Sequence, residues 1–129
     1  MEFNDDFTMF DYSQAVDMNS TNSSCINLKP YPLKVAFASG GILDGSPTIC
    51  GGVAGETLSA LRGCYIYSKS SNEWTLIANM KTRRFSSSTA IVNRSLWIAG
   101  GSSRSMTAPI YTKSTEYVFV YQYFYKTMK

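Results

Sequence analysis

From Lys29 onward the chain alternates short apolar runs with turn-forming residues: LKVAFASGGIL, DGS and PTICGG, then RRFSSSTAIV, NRS and LWIAGG. Runs of this length, rich in Val, Ile, Thr and aromatics and bounded by Gly, Asn, Asp and Ser, predict β-strands joined by tight turns. The pattern predicts a twisted four-stranded antiparallel sheet over residues 34–80, followed by strands near 86–92, 96–101 and 115–121. No helix longer than two turns is expected within 34–101.

The two halves of this pattern match each other. A slide of 49 residues lays Ile42 on Ile91, Asp44 on Asn93, Ser46 on Ser95 and Ile49 on Ile98. Gly51-Gly52 then falls on Gly100-Gly101, with no gap across the eleven positions. A further glycine pair, Gly40-Gly41, falls on Thr89-Ala90 and so belongs inside a strand rather than at its end. After each terminal pair comes a loop of small and polar residues, 53–62 or 102–114, and then a third strand, GCYIYS or TEYVFVY. Matching Tyr65 to Tyr117 makes the second loop three residues longer. NEWTLIANM supplies a fourth strand to the first unit, whereas QYFYKTMK has no counterpart of Trp74. Strands constant and loops variable are the mark of a repeated supersecondary unit.

The order of a glycine pair, then Tyr67, six residues, Trp74, Met80, Arg84 and the next glycine pair resembles the kelch repeat, whose period is close to the spacing seen here. The resemblance covers residues 33–121 and implies an all-β chain, part of a β-propeller. It implies one complete four-stranded blade at 34–80 and an incomplete second blade at 84–121. Residues 1–32 form an acidic, disordered N-terminal segment on this reading, and 122–129 a divergent C-terminal tail. Gly51, Gly52, Tyr67, Trp74, Arg84, Gly100 and Gly101 are its structural residues. Glycine permits close backbone approach at strand ends, and Tyr67 and Trp74 are expected to bury flat surfaces between blades.

A narrower resemblance, to secreted cysteine-bearing kelch-like proteins of invertebrates, matches the places of Cys25, Cys50 and Cys64. In an antiparallel meander Cys50 and Cys64 face each other across one ladder, so they are the expected disulfide, with Cys25 left over. Two reduced, buried thiols are the alternative. Asn19, Asn22 and Asn93 each open a glycosylation sequon. These features favour an extracellular location over a cytoplasmic one, although no signal peptide is visible at the acidic N-terminus.

Charge changes the picture only in its placement. Residues 1–28 hold five of the nine acids and no base, so the remainder carries twelve bases against four acids. The bases are scattered, with only Lys81-Thr82-Arg83-Arg84 clustered, so together they read as a solvated surface and not as a nucleic-acid or membrane footprint. Phe3, Phe7 and Phe10 fall on one face of a short helix in the acidic segment. The chain has no histidine, which removes imidazole bases and imidazole metal sites. Asp44, Glu56, Glu73 and Glu116 show no paired arrangement for acid–base work. The expectation is a non-enzymatic module that uses no cofactor and binds a protein partner through loops 53–62 and 102–114. Arg62, Arg104 and Met106 are the contact candidates. Further blades, from a longer chain or another copy, are the second kind of partner. A truncated product with no independent function is the alternative reading.

Overall fold

The computed structural model describes residues 11–16, 18–19, 21–22, 24–119 and 125–128. The helical face proposed for Phe3, Phe7 and Phe10 lies outside them. In chain order the strands are β1 (Gln14–Ala15), β2 (Ile26–Asn27), β3 (Ser39–Leu43), β4 (Ser46–Cys50), β5 (Val53–Ala54), β6 (Ser59–Ala60) and β7 (Gly63–Ser68). They continue with β8 (Glu73–Asn79), β9 (Ser88–Val92), β10 (Ser95–Ala99), β11 (Ser102–Ser105), β12 (Ala108–Tyr111), β13 (Thr115–Phe119) and β14 (Tyr125–Met128). The described residues contain no helix.

Two four-stranded antiparallel sheets carry the repeat: sheet 1 in the order β3-β4-β7-β8, and sheet 2 in the order β14-β13-β10-β9. Each begins with a hairpin whose turn needs residues at positive φ. Asp44 (50°) and Gly45 (78°) serve β3-β4, and Asn93 (47°) and Arg94 (59°) serve β9-β10. Glycine and Asn or Asp accept this region most readily, which accounts for Asp44, Gly45 and Asn93, and Arg94 takes it without that preference. The same turns tie the units together, because the Arg94 guanidinium donates from Nε and Nη2 to the two Asp44 carboxylate oxygens, at 2.9 and 3.2 Å.

Alternation then decides which faces meet. Along sheet 2, Leu96, Ile98 and Val118 point to one side, and they share a buried core with Leu43, Cys50, Cys64 and Ile77 of sheet 1 and with Met80 just beyond β8. Sheet 1 accepts this layer closely at Gly41, where an added Cβ would lie 3.2 Å from both Ile91 and Leu96. Burying such aliphatic side chains stabilises the pairing by about 1.5–3 kcal/mol each. The opposite side of sheet 2 carries the register partners Trp97 and Tyr117, stacked at 4.6 Å. Beside them Val92 is 48% exposed, and Ala90 and Ala99 are exposed as well.

Two differences from the sequence reading concern strands. Sheet 2 has a fourth strand, since Tyr125–Met128 pairs antiparallel with Thr115–Val118 in what was read as a divergent tail. Main-chain hydrogen bonding builds that strand without the Asn-Glu-Trp signal that marks its counterpart. The third-strand match also shifts. Cys50 pairs with Cys64 and Ala99 with Thr115, so Tyr65 corresponds to Glu116 and not to Tyr117. The second loop is therefore two residues longer, not three.

The other face of sheet 1 differs too. Tyr67 and Trp74 pack together with centroids 5.4 Å apart, but under the chain's own N-terminal segment and not between the two sheets. Tyr31, 5% exposed, stands edge-on to Tyr65 at 5.3 Å and to Trp74 at 5.1 Å. Trp74 Nε1 donates to the Lys29 carbonyl at 2.9 Å, and the Lys29 amide donates to Asn72 Oδ1 at 3.2 Å. Farther out, β1 and β2 form a short hairpin. Residues 24–31 are thus a strap on sheet 1, where a wholly disordered leader was expected. Apolar rings offered by one face and one tyrosine from the segment account for the docking.

Candidate interaction surface

Glycines set the end of the molecule where the loops emerge. Gly51 and Gly52 adopt φ of 68° and 94°, and Gly101 adopts 82°. A Cβ at Gly51 would run into the Arg84 carbonyl, and one at Gly101 would come within 2.5 Å of the Phe85 carbonyl. Glycine is needed at Gly51, Gly52 and Gly101 because the chain turns sharply while another backbone passes against it, and Gly100 shares the positive φ without the close approach. That second backbone is bonded in place: Gly52 N donates to the Arg84 carbonyl at 2.9 Å.

The loops after the pairs are hairpins, not irregular coil. β5-β6 and β11-β12 join through Ser59 and Ser105 into a third four-stranded sheet, in the order β12-β11-β6-β5. Isolated bridges, Ala36 to Val53 and Phe85 to Ser102, fasten it to the start of each repeat. Val53, Ala60 and Phe85 form its buried side, with Ala36 and Leu58 packed against them. Its outer hairpin offers Tyr111 at 82% exposure and Ile110 at 46%. Sequence reasoning missed both, because it counted the stretch as loop and so did not ask which residues alternate outward.

The three contact candidates separate. Arg104 (φ 68°) and Met106 sit on the β11-β12 hairpin, and Met106 N donates to the Leu58 carbonyl at 3.2 Å. Arg62 lies instead in a cleft with Arg83, Tyr31, Tyr65 and Asn79. Burial, and then the neighbouring Tyr65, raise the Tyr31 phenol above its ordinary pKa.

Arg84 does structural work from the inside. Its side chain is about 1% exposed, and it donates from Nη1 to the Gly100 and Ser114 carbonyls, both at 2.9 Å. From Nη2 it donates to Ser114 Oγ at 2.8 Å and to Glu116 Oε2 at 2.6 Å. The Glu116 carboxylate also accepts from the Lys81 and Thr82 amides, at 2.5 and 3.2 Å. One buried ion pair thus gathers the second glycine pair, the third strand of sheet 2 and the 81–84 connection. In the sequence Glu116 stands among the carboxylates without a paired arrangement, since 32 positions separate it from Arg84 and no local pattern joins them.

Cys50 and Cys64 form a disulfide across their ladder, with Cα atoms 4.1 Å apart, and Cys25 is an exposed free thiol. Asn93 is exposed on the β9-β10 turn, and Asn19 and Asn22 are exposed in the N-terminal segment. The remaining carboxylates disperse: Asp44 to Arg94, Glu73 to Lys29 at 3.5 Å, and Glu56 to the exposed tip between β5 and β6. Among the described residues no three His, Cys, Asp or Glu side chains are placed to hold a metal ion.

No protein-family model matches the chain. No curated protein matches it either. Among solved structures, one described as "Structure of YjhT" superposes with a TM-score of 0.67 at 15% identity, over 73% of this chain and 28% of that one. The chain therefore shares a fold with part of that protein, and spans little more than a quarter of its length.

Proposed function

We propose that the chain is a non-enzymatic protein-interaction module built from two kelch-type blades of a β-propeller. The observation that carries this reading is the pair of equivalent four-stranded sheets, each leading from a glycine pair into a hairpin on one shared end. Propeller blades bury their faces against neighbours, and propellers typically need four to eight of them to close. Sheet 1 is covered by the strap on its leading face, so the side of sheet 2 bearing Trp97 and Tyr117 is where a further blade joins, from a longer chain or another copy.

The partner surface is the end sheet, where the β11-β12 hairpin presents Arg104, Met106, Ile110 and Tyr111. Exposed aromatic and arginine side chains on a rigid hairpin are suited to binding, because little ordering entropy is lost on contact. The disulfide and the three exposed sequon asparagines favour a secreted glycoprotein. The test is cross-linking from a photoreactive residue at position 111 in the source cells' secreted fraction. A saturable adduct that Arg104→Ala abolishes supports the reading, and random labelling independent of Arg104 contradicts it.

A further inference from the structure

We infer that the cleft between Arg62 and Arg83 is an oxyanion site, taking the carboxylate of an acidic side chain or a small free acid of the same chemistry. The cleft has a volume of about 200 Å³ and is walled by Tyr31 from the strap and by Tyr65 and Asn79 from sheet 1. Arg62 and Arg83 both line it, and none of its lining residues carries a carboxylate. Among the described residues neither Arg62 nor Arg83 takes part in an ion pair, whereas Arg84, next along the chain, is buried and paired with Glu116. Arg83 spends one weak bond, from Nη1 to the Ala60 carbonyl at 3.4 Å, and keeps its other donors. Both arginines are exposed.

The physical case rests on charge, shape and size. Two like charges brought into one concavity repel, and an oxyanion between them removes that repulsion while satisfying fork-shaped donors that match carboxylate and phosphate geometry. Aromatic walls of low dielectric strengthen the attraction. The volume is below the 300–1,000 Å³ or so of clefts that hold drug-sized molecules, so the site takes one acidic head group and not a large ligand. The strap contributes to the site, because Tyr31, packed edge-on to Tyr65, forms part of its lining.

This inference names the chemistry of a contact that the interaction reading leaves open, and the test separates the two. Amide shifts of Gly51 and Gly63, which line the cleft, are followed by NMR while inorganic phosphate replaces chloride at constant ionic strength. A second series uses a neutral peptide bearing one glutamate. Saturable phosphate shifts are expected, weakened about tenfold or more in Arg62→Gln and in Arg83→Gln, the usual worth of a hydrogen bond to a charged group. They should stay unchanged in Lys113→Gln, an exposed base outside the cleft. Tighter binding of the peptide than of phosphate assigns the site to a protein partner. Phosphate binding without peptide binding keeps the oxyanion site and assigns it to a small acid. No saturable shift beyond chloride, or shifts indifferent to both arginine variants, overturns the inference and leaves the β11-β12 surface untouched.

Discussion

Tyr31 stands edge-on to Trp74 with ring centroids 5.1 Å apart, though 43 positions separate them in the chain. The contact makes the N-terminal strap part of the folded unit. Tyr31→Ala is expected to destabilise the protein by about 3 kcal/mol, the low end for deleting a buried aromatic. Urea unfolding followed by Trp fluorescence measures it. A loss below about 0.5 kcal/mol, typical of a surface change, would show that the strap is dispensable.

The same phenol gives a pH dependence. Its pKa is raised in the folded state by burial and by Tyr65, so the folded protein holds the proton more tightly than the unfolded chain. The resulting stability is fully present below the unfolded value of about 10 and is lost as pH rises beyond it, by at most about 1.4 kcal/mol per pH unit. Thermal melts between pH 9 and 11 should therefore fall more steeply for the wild type than for Tyr31→Phe. Parallel slopes would contradict the assignment.

Breaking the Arg84–Glu116 pair should be costly. Glu116→Gln leaves a buried guanidinium without its counter-charge, which destabilises by about 3–5 kcal/mol. Arg84→Met combined with Glu116→Leu is expected to recover only part of that loss: no buried charge is left unpaired, but the Lys81 and Thr82 amides and the Gly100 and Ser114 carbonyls lose partners. A double-mutant cycle in denaturant reads the coupling, and additive losses would mean that the two residues act separately.

The Cys50–Cys64 bond closes a loop of thirteen intervening residues, for which the chain-entropy contribution is about 3 kcal/mol. Non-reducing peptide mapping should recover a Cys50–Cys64 peptide and a free Cys25, and reduction should lower the melting temperature. A Cys25-containing pair, or three free thiols, would be the contrary outcome.

What was legible in the sequence follows from which forces are local. Gly51, Gly52, Gly100 and Gly101 announce themselves because all four take positive φ, and at Gly51, Gly52 and Gly101 a passing backbone also leaves no room for a Cβ. Ile42 to Gly52 aligns with Ile91 to Gly101 because hairpin length and face alternation leave no room for a gap. Across the variable loops that constraint lapses, and the match of Tyr65 slipped by one residue. β14 pairs through its backbone, and no residue in QYFYKTMK marks it as the counterpart of the Trp74 strand. The strap was illegible for a related reason: its docking is set by Tyr67 and Trp74 more than 35 residues away, while its own eight residues, SCINLKPY, carry no apolar periodicity.

The central claim is that two blade-like sheets stack with one face capped and the other open, and sedimentation velocity tests it most directly. The wild type should associate with rising concentration in the tens of micromolar, and Trp97→Lys should not, because it places a charge on the open side of sheet 2. Circular dichroism confirms that both remain folded. A wild type that stays monomeric throughout, or a Trp97→Lys variant that associates equally, would contradict the account.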